Sequence, residues 1–158
     1  MEEDEAQILE ELEFIRSLTS SDFVALAAIT ETRHMADCGR PSWTHALGSL
    51  NNRYQHMIIK TGQGLAGLVL RLGRWVELDA AKTYENQSGG DCPIILAEQL
   101  RAAAVFPLVT RQTSTIIGLL YIGKRKTDRY EQEELRLVKE SLQPLATLME
   151  KRTADKVK

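Results

Sequence analysis

The segment from Ala102 to Ile122 constrains this 158-residue chain more than any other. It holds two apolar runs, Ala102 to Val109 and Thr115 to Ile122, separated only by Thr110 to Ser114. So short a connection suits an antiparallel hairpin, because a parallel pair needs a crossover of about a dozen residues. A third run, Phe23 to Ile29, is apolar at every position and too short for a surface helix, which predicts a buried strand. Ser42 to Leu47 is a candidate second strand, and Trp75 to Leu78 a short further one.

Helical periodicity frames these strands. Over residues 2–18, Ile8, Leu12 and Ile15 fall on one face with Leu9 and Leu18 widening it, and seven acids between Glu2 and Glu13 cover the remainder. At the other end Leu135, Val138, Leu142, Leu145 and Met149 recur at spacings of three and four, predicting a helix over 129–151. Asp128 is placed to cap it, with Glu131 completing a capping box, and Pro144 predicts a kink. The apolar stripe has three candidate partners: the first helix, the sheet, or a second copy of the chain. Two short helices are expected between the strands. One begins near Gly64 and ends near Gly73; the other is opened by Pro93 and covers Ile94 to Leu100. Thr30 to Arg40 and Asp79 to Asp91 read as loops, the second a candidate lid carrying Asp79, Glu85 and Asp91. The fold class expected is α+β: an antiparallel sheet flanked by terminal helices and short crossover helices, forming a single domain over residues 1–158.

Composition narrows the function. A net charge of −2 gives no global electrostatic reason to expect nucleic acid. No apolar run reaches the roughly 20 residues of a membrane helix, and the acidic start is unlike a targeting segment. The chain therefore reads as cytoplasmic, without membrane insertion, and Cys38 and Cys92 read as reduced thiols.

Catalytic and metal chemistry lack a visible basis. His34, His45 and His56 lie eleven residues apart, outside compact ligand spacings, and there is no CxxC. No GxSxG elbow or complete phosphate loop occurs. Gly62 to Gly67 has GxGxxG spacing but lies too far into the chain for a first dinucleotide-binding unit. Glu133–Glu134 and the cluster Lys124, Arg125, Lys126 and Arg129 read as solvated surface. No catalytic residue, metal or cofactor is expected, and the chain reads as a non-enzyme.

The helix starts are more informative. Leu65 and Ala66, and likewise Ile94 and Ile95, fall in first turns whose N–H groups have no intrahelical acceptor. Two such starts facing one cavity would bind a small anion, with Trp43 as a flat apolar wall. Alternatively, water or caps satisfy those groups and Trp43 belongs to the core.

The order of Gly62-Gln63-Gly64-Leu65-Ala66-Gly67, Gly73 to Leu78, Ala102 to Leu108 and Ile117 to Gly123 resembles the GAF domain family over about Ser20 to Met149. Leu50 to Tyr54, the GQGLAG segment and Pro93-Ile94-Ile95 are similar to a narrower group, nitrate-receptor GAF proteins that work beside a sensor histidine kinase. That resemblance implies a GAF-like sheet, nitrate as ligand, and a partner kinase in a two-component system. It implies main-chain contacts from Leu65, Ala66 and Ile95, with Trp43 nearby and Leu47, Val69 and Pro93 around the cavity. Cys92 departs from the group, where an aromatic is expected beside the proline. A competing reading is a ligand-independent interaction or dimerisation module, a homodimer joined through the terminal stripe, or a sensor of another small molecule.

Overall fold

A computed structural model describes residues 2–29, 42–59, 64–78, 93–110, 115–127 and 129–157. The two expected loops, Cys38, Cys92, His34 and the proposed cap Asp128 lie outside these residues. In chain order the elements are α1 (Glu2–Thr19), β1 (Phe23–Ala28), β2 (Ser42–Leu47), a 3₁₀ turn (Arg53–His56), α2 (Gly64–Leu72), β3 (Val76–Glu77), α3 (Pro93–Ala97), β4 (Ala102–Val109), β5 (Ile116–Lys124) and α4 (Gln132–Val157).

The strands form one sheet in the order β2-β1-β5-β4-β3. Every neighbouring pair is antiparallel, including the β4–β5 hairpin. Together with the flanking helices this is the α+β architecture expected from the sequence. The central strands are covered on both faces, which is why β1 and β4 read as nearly unbroken apolar runs rather than alternating ones. On one face Val24, Leu26, Leu120, Ile122, Ala104 and Phe106 pack against α1 and α4. On the other, Phe23, Ala25, Ala27, Leu119, Tyr121, Ala103 and Val105 meet α2, α3 and Trp43.

Each terminal helix buries one stripe. Ile8, Leu12 and Ile15 of α1 are fully buried. Leu9 does not widen that stripe, because it is 41% exposed on the outer surface. In α4, Leu135, Val138, Leu145 and Met149 are buried against α1 and the sheet, with Leu142 partly buried beside them. The stripe is thus filled from within the chain.

Some boundaries differ from those expected, for identifiable reasons. The last helix begins at Gln132 rather than 129, because Glu131 occupies the cap position. Its N–H donates to Glu134 Oε1 at 2.9 Å, the reciprocal half of a capping box set three residues later than the sequence reading placed it. The same helix continues through Pro144 to Val157, six residues past the expected end, over a stretch with no strong helix breaker. α3 stops at Ala97 rather than Leu100. Gln99 takes a left-handed φ of 55° and the Leu100 N–H donates to the Ile95 carbonyl at 3.0 Å, the geometry of a Schellman stop. Leu100 then packs on Gly123, where any Cβ would lie 2.6 Å from a Leu100 methyl.

Candidate functional site

The face of the sheet opposite the terminal helices gathers most of the proposed site residues. Trp43 is 5% exposed and stands edge-on to Tyr121, ring centres 5.5 Å apart at 82°. Phe23 meets the same tyrosine ring at 6.1 Å and 74°. Leu65 and Ala66, in the first turn of α2, are buried in this cluster, as is Val69 one turn later on the same side. Ile95 of α3 is partly buried against it, and Pro93 opens α3. One apolar cluster thus holds Trp43, the start of α2 and the short α3.

Leu47 does not join them. Leu47 and Trp43 are four residues apart in one strand and would share a face under simple alternation. The pairing with β1 shows why they do not: Leu26 opposes His45 and Ala27 opposes Trp43, leaving Thr44 as an extra residue in a β-bulge. The Thr44 hydroxyl donates to the Leu26 carbonyl at 3.1 Å and fixes the irregularity. Trp43, before the bulge, faces the α2–α3 side with Ala27. Leu47, after it, opposes Val24 and packs among the residues of the α1–α4 side. The bulge also turns His45 toward α1, where its Nε2 lies 2.6 Å from Glu5 Oε2.

The basic cluster at the end of β5 is the solvated loop that its composition suggested only at Lys126 and Arg129, which are exposed. Lys124 lies inside the strand, is 9% exposed, and donates to both Glu134 oxygens at 2.8 and 3.0 Å. Of the glutamate pair, Glu133 is exposed and paired with its helix neighbour Arg136, whereas Glu134 ties α4 to the sheet. Arg125 binds Glu98, whose side chain is 1% exposed. A cavity of about 580 Å³ is lined by Arg101, Lys124, Lys126, Thr127, Arg129 and Glu131. Its lysine nearest the sheet is already neutralised by Glu134, so the concavity is more basic in residue count than in available charge. Among the described residues, no group of three His, Cys, Asp or Glu side chains is arranged to hold a metal ion.

The sequence reading overlooked Tyr121 and Glu98 and took Arg125 for solvated surface. Tyr121 was legible from alternation, since it shares a strand face with Leu119. Glu98 and Arg125 were not: they lie 27 residues apart, and nothing local marks them as a pair.

The sequence profile of the GAF domain matches residues 2–150. This chain belongs to the GAF domain family. No curated protein sequence matches it. Among solved structures, it is similar to a Staphylococcus aureus NreA protein mutated in its nitrate binding site. That likeness is 28% identity over 77% of this chain and 86% of the other, with a TM-score of 0.65. The GAF domain of a two-component sensor histidine kinase from Bacillus halodurans aligns over 94% of this chain and 95% of its own length, with a TM-score of 0.73 at 13% identity. A type II free methionine-R-sulfoxide reductase from Thermoplasma acidophilum aligns over 95% and 94%, with a TM-score of 0.69 at 18% identity. The last two likenesses concern the fold alone. Among the described residues of this GAF domain, no helix is long and apolar enough to cross a membrane.

Proposed function

We propose that this GAF domain is a sensor of a small anion, nitrate, and that its ligand state modulates a partner sensor histidine kinase. The observation that carries the reading is the convergence of Trp43, the first turn of α2 and α3 in one apolar cluster on one face of the sheet. The resemblance to the NreA structure, at 28% identity, supports nitrate as the ligand.

The physical case rests on what nitrate requires. It is planar and weakly hydrated, so an apolar site with a few oriented N–H donors offsets its desolvation without a fixed cation. The first N–H groups of a helix have no acceptor inside it and carry the positive end of its dipole. In this reading the N–H groups of Leu65, Ala66 and Ile95 hold the anion, Trp43 forms a flat wall, and Val69 and Pro93 close the surroundings. Leu47 takes no part. Catalysis is not part of the proposal. The competing dimerisation reading drew on the stripe of the last helix, and that stripe is occupied by the chain's own core.

Isothermal titration with sodium nitrate tests this, with sodium chloride and sodium sulfate as matched controls. Saturable binding near one nitrate per chain is expected, absent in a folded Ala66→Glu variant whose carboxylate would occupy the site. A flat nitrate titration of folded wild-type protein would sink the assignment.

A further inference from the structure

Lys124 and Arg125 are consecutive at the end of the central strand, and strand alternation directs their side chains to opposite faces of the sheet. Lys124 continues the row of Leu120 and Ile122 on the side of the terminal helices. Besides binding Glu134 of α4, its ammonium lies 4.7 Å from the centre of the Tyr130 ring. The Tyr130 hydroxyl is 2.7 Å from Ser21 Oγ, itself 2.6 Å from Thr19 Oγ1 at the end of α1.

Arg125 reaches the other way. Its Nε donates to the Glu98 carbonyl, and its Nη2 donates to Glu98 Oε1 and to the Gly48 carbonyl, each at 2.8 Å. Glu98 follows α3 directly. Its Oε2 accepts the Ser49 hydroxyl at 2.6 Å and its Oε1 the Leu50 N–H at 2.8 Å, while Asn51 Nδ2 donates to the Ala97 carbonyl at 2.8 Å. The Arg125 N–H is taken by Asp22 Oδ2 at 2.7 Å, in the turn between α1 and β1. Three segments therefore meet on one guanidinium: the end of α3, the turn after β2, and the strand end that leads into α4. Gly48 is fitted to this junction, since it has a φ of +74° and a Cβ there would lie 2.0 Å from the Asp22 carbonyl oxygen.

We propose that the Lys124–Arg125 step is a two-sided latch through which the position of α3 on one face sets how firmly the first turns of α4 are seated on the other. A buried carboxylate does not give up its charged partner cheaply, so the end of α3 and Arg125 move together or not at all. Arg125 shares a peptide bond with Lys124, and Lys124 holds Glu134 in the first turn of α4. The ligand-dependent part of this coupling rests on the reading of α3 as a ligand-contacting helix; the mechanical part does not.

The test is amide hydrogen exchange of the full chain, comparing residues 132–140 of α4 with residues 104–106 of β4 as an internal reference. Without ligand, Glu98→Gln should speed exchange over 132–140 by roughly 2- to 30-fold relative to the reference, although the Glu98 carboxylate bonds to Ser49, Leu50 and Arg125 rather than to α4. In an Arg125→Gln background the Glu98 change should have no further effect. Ser49→Ala keeps the ion pair and removes one bond; it should act in the same direction to a smaller extent, and serves if Glu98→Gln does not fold. Exchange over 132–140 that follows the reference in the folded variants would overturn the latch. So would a Glu98→Gln effect that survives in Arg125→Gln. With nitrate, wild-type exchange over 132–140 should slow, and Arg125→Gln should lose that response while still binding nitrate by calorimetry. Retention of the response in Arg125→Gln would also overturn the latch. Wild-type protein that binds no nitrate would overturn the ligand reading instead, with the ligand-free comparison deciding the latch.

Discussion

Tyr130 shows how much one side chain can report about this molecule. Burial is the main reason its phenol is pushed well above the ordinary range, with smaller contributions in the same direction from Glu134, Asp22 and Glu77, against the opposing hydrogen bond from Ser21. The folded protein therefore holds this proton more tightly than the unfolded chain does. Its contribution to stability is intact below the unfolded value of about 10 and is lost as pH rises beyond it. Urea unfolding should show wild-type stability falling more steeply above about pH 10 than that of Tyr130→Phe. At neutral pH the variant should be less stable by about 1 kcal/mol, the worth of the hydrogen bond to Ser21. Parallel curves at alkaline pH would show that Tyr130 is not the titrating group. At this scale the sequence was legible where a residue's role follows from its near neighbours. Ile8, Leu12 and Ile15 announced their shared face by spacing, whereas Val69 joined Leu65 and Ala66 only through the family resemblance. The partners of Tyr130, Glu98 and Arg125 lie 109, 49 and 103 residues away in Ser21, Ser49 and Asp22, and no local pattern encodes such pairings.

The elements themselves were largely readable because the sheet is covered on both faces and its strands are uniformly apolar. Irregularity was harder to read. The Thr44 bulge transfers Leu47 from the side of Trp43 to the side of α1, yet the sequence Ser42-Trp43-Thr44-His45-Ala46-Leu47 carries no glycine or proline to mark it. The start of α4 depended on which of two acids caps it, and both Asp128 and Glu131 are followed three residues later by a glutamate, Glu131 and Glu134. Pro144 presents the opposite case: it was read correctly as interior to the helix, and it is exposed. A proline there removes one helical hydrogen bond and crowds the carbonyl of Glu140, at a cost of about 3 kcal/mol in an unrestrained helix. Because the ring contributes little packing, Pro144→Ala should stabilise the domain by about 1–3 kcal/mol in denaturant unfolding with the slope unchanged. No gain would mean that the helix has already adjusted around the ring.

For the whole molecule, the arrangement of layers sets what ligand binding can do. The sheet separates an apolar cluster around Trp43 from the pair of terminal helices, and each face has its own core. A ligand between the start of α2 and α3 would tie together two segments of one apolar cluster, so binding would stabilise the folded chain as a unit. A ligand that binds only the folded state adds about 2.7 kcal/mol when present at about 100 times its Kd. For a domain of this size each kcal/mol is worth about 2–4 °C, so saturating nitrate should raise Tm by roughly 5–11 °C. Calorimetric scans with nitrate and with chloride at equal ionic strength check this, since general salt effects are common to both and only the difference counts. The increment should grow with the logarithm of nitrate concentration and vanish in Ala66→Glu. A shift that is equal in chloride, or that persists in that variant, would place the anion elsewhere on the molecule. A logarithmic shift confined to nitrate and abolished at Ala66 would tie the ligand to the α2 face, where the end of α3 and its bond to Arg125 are in position to feel it.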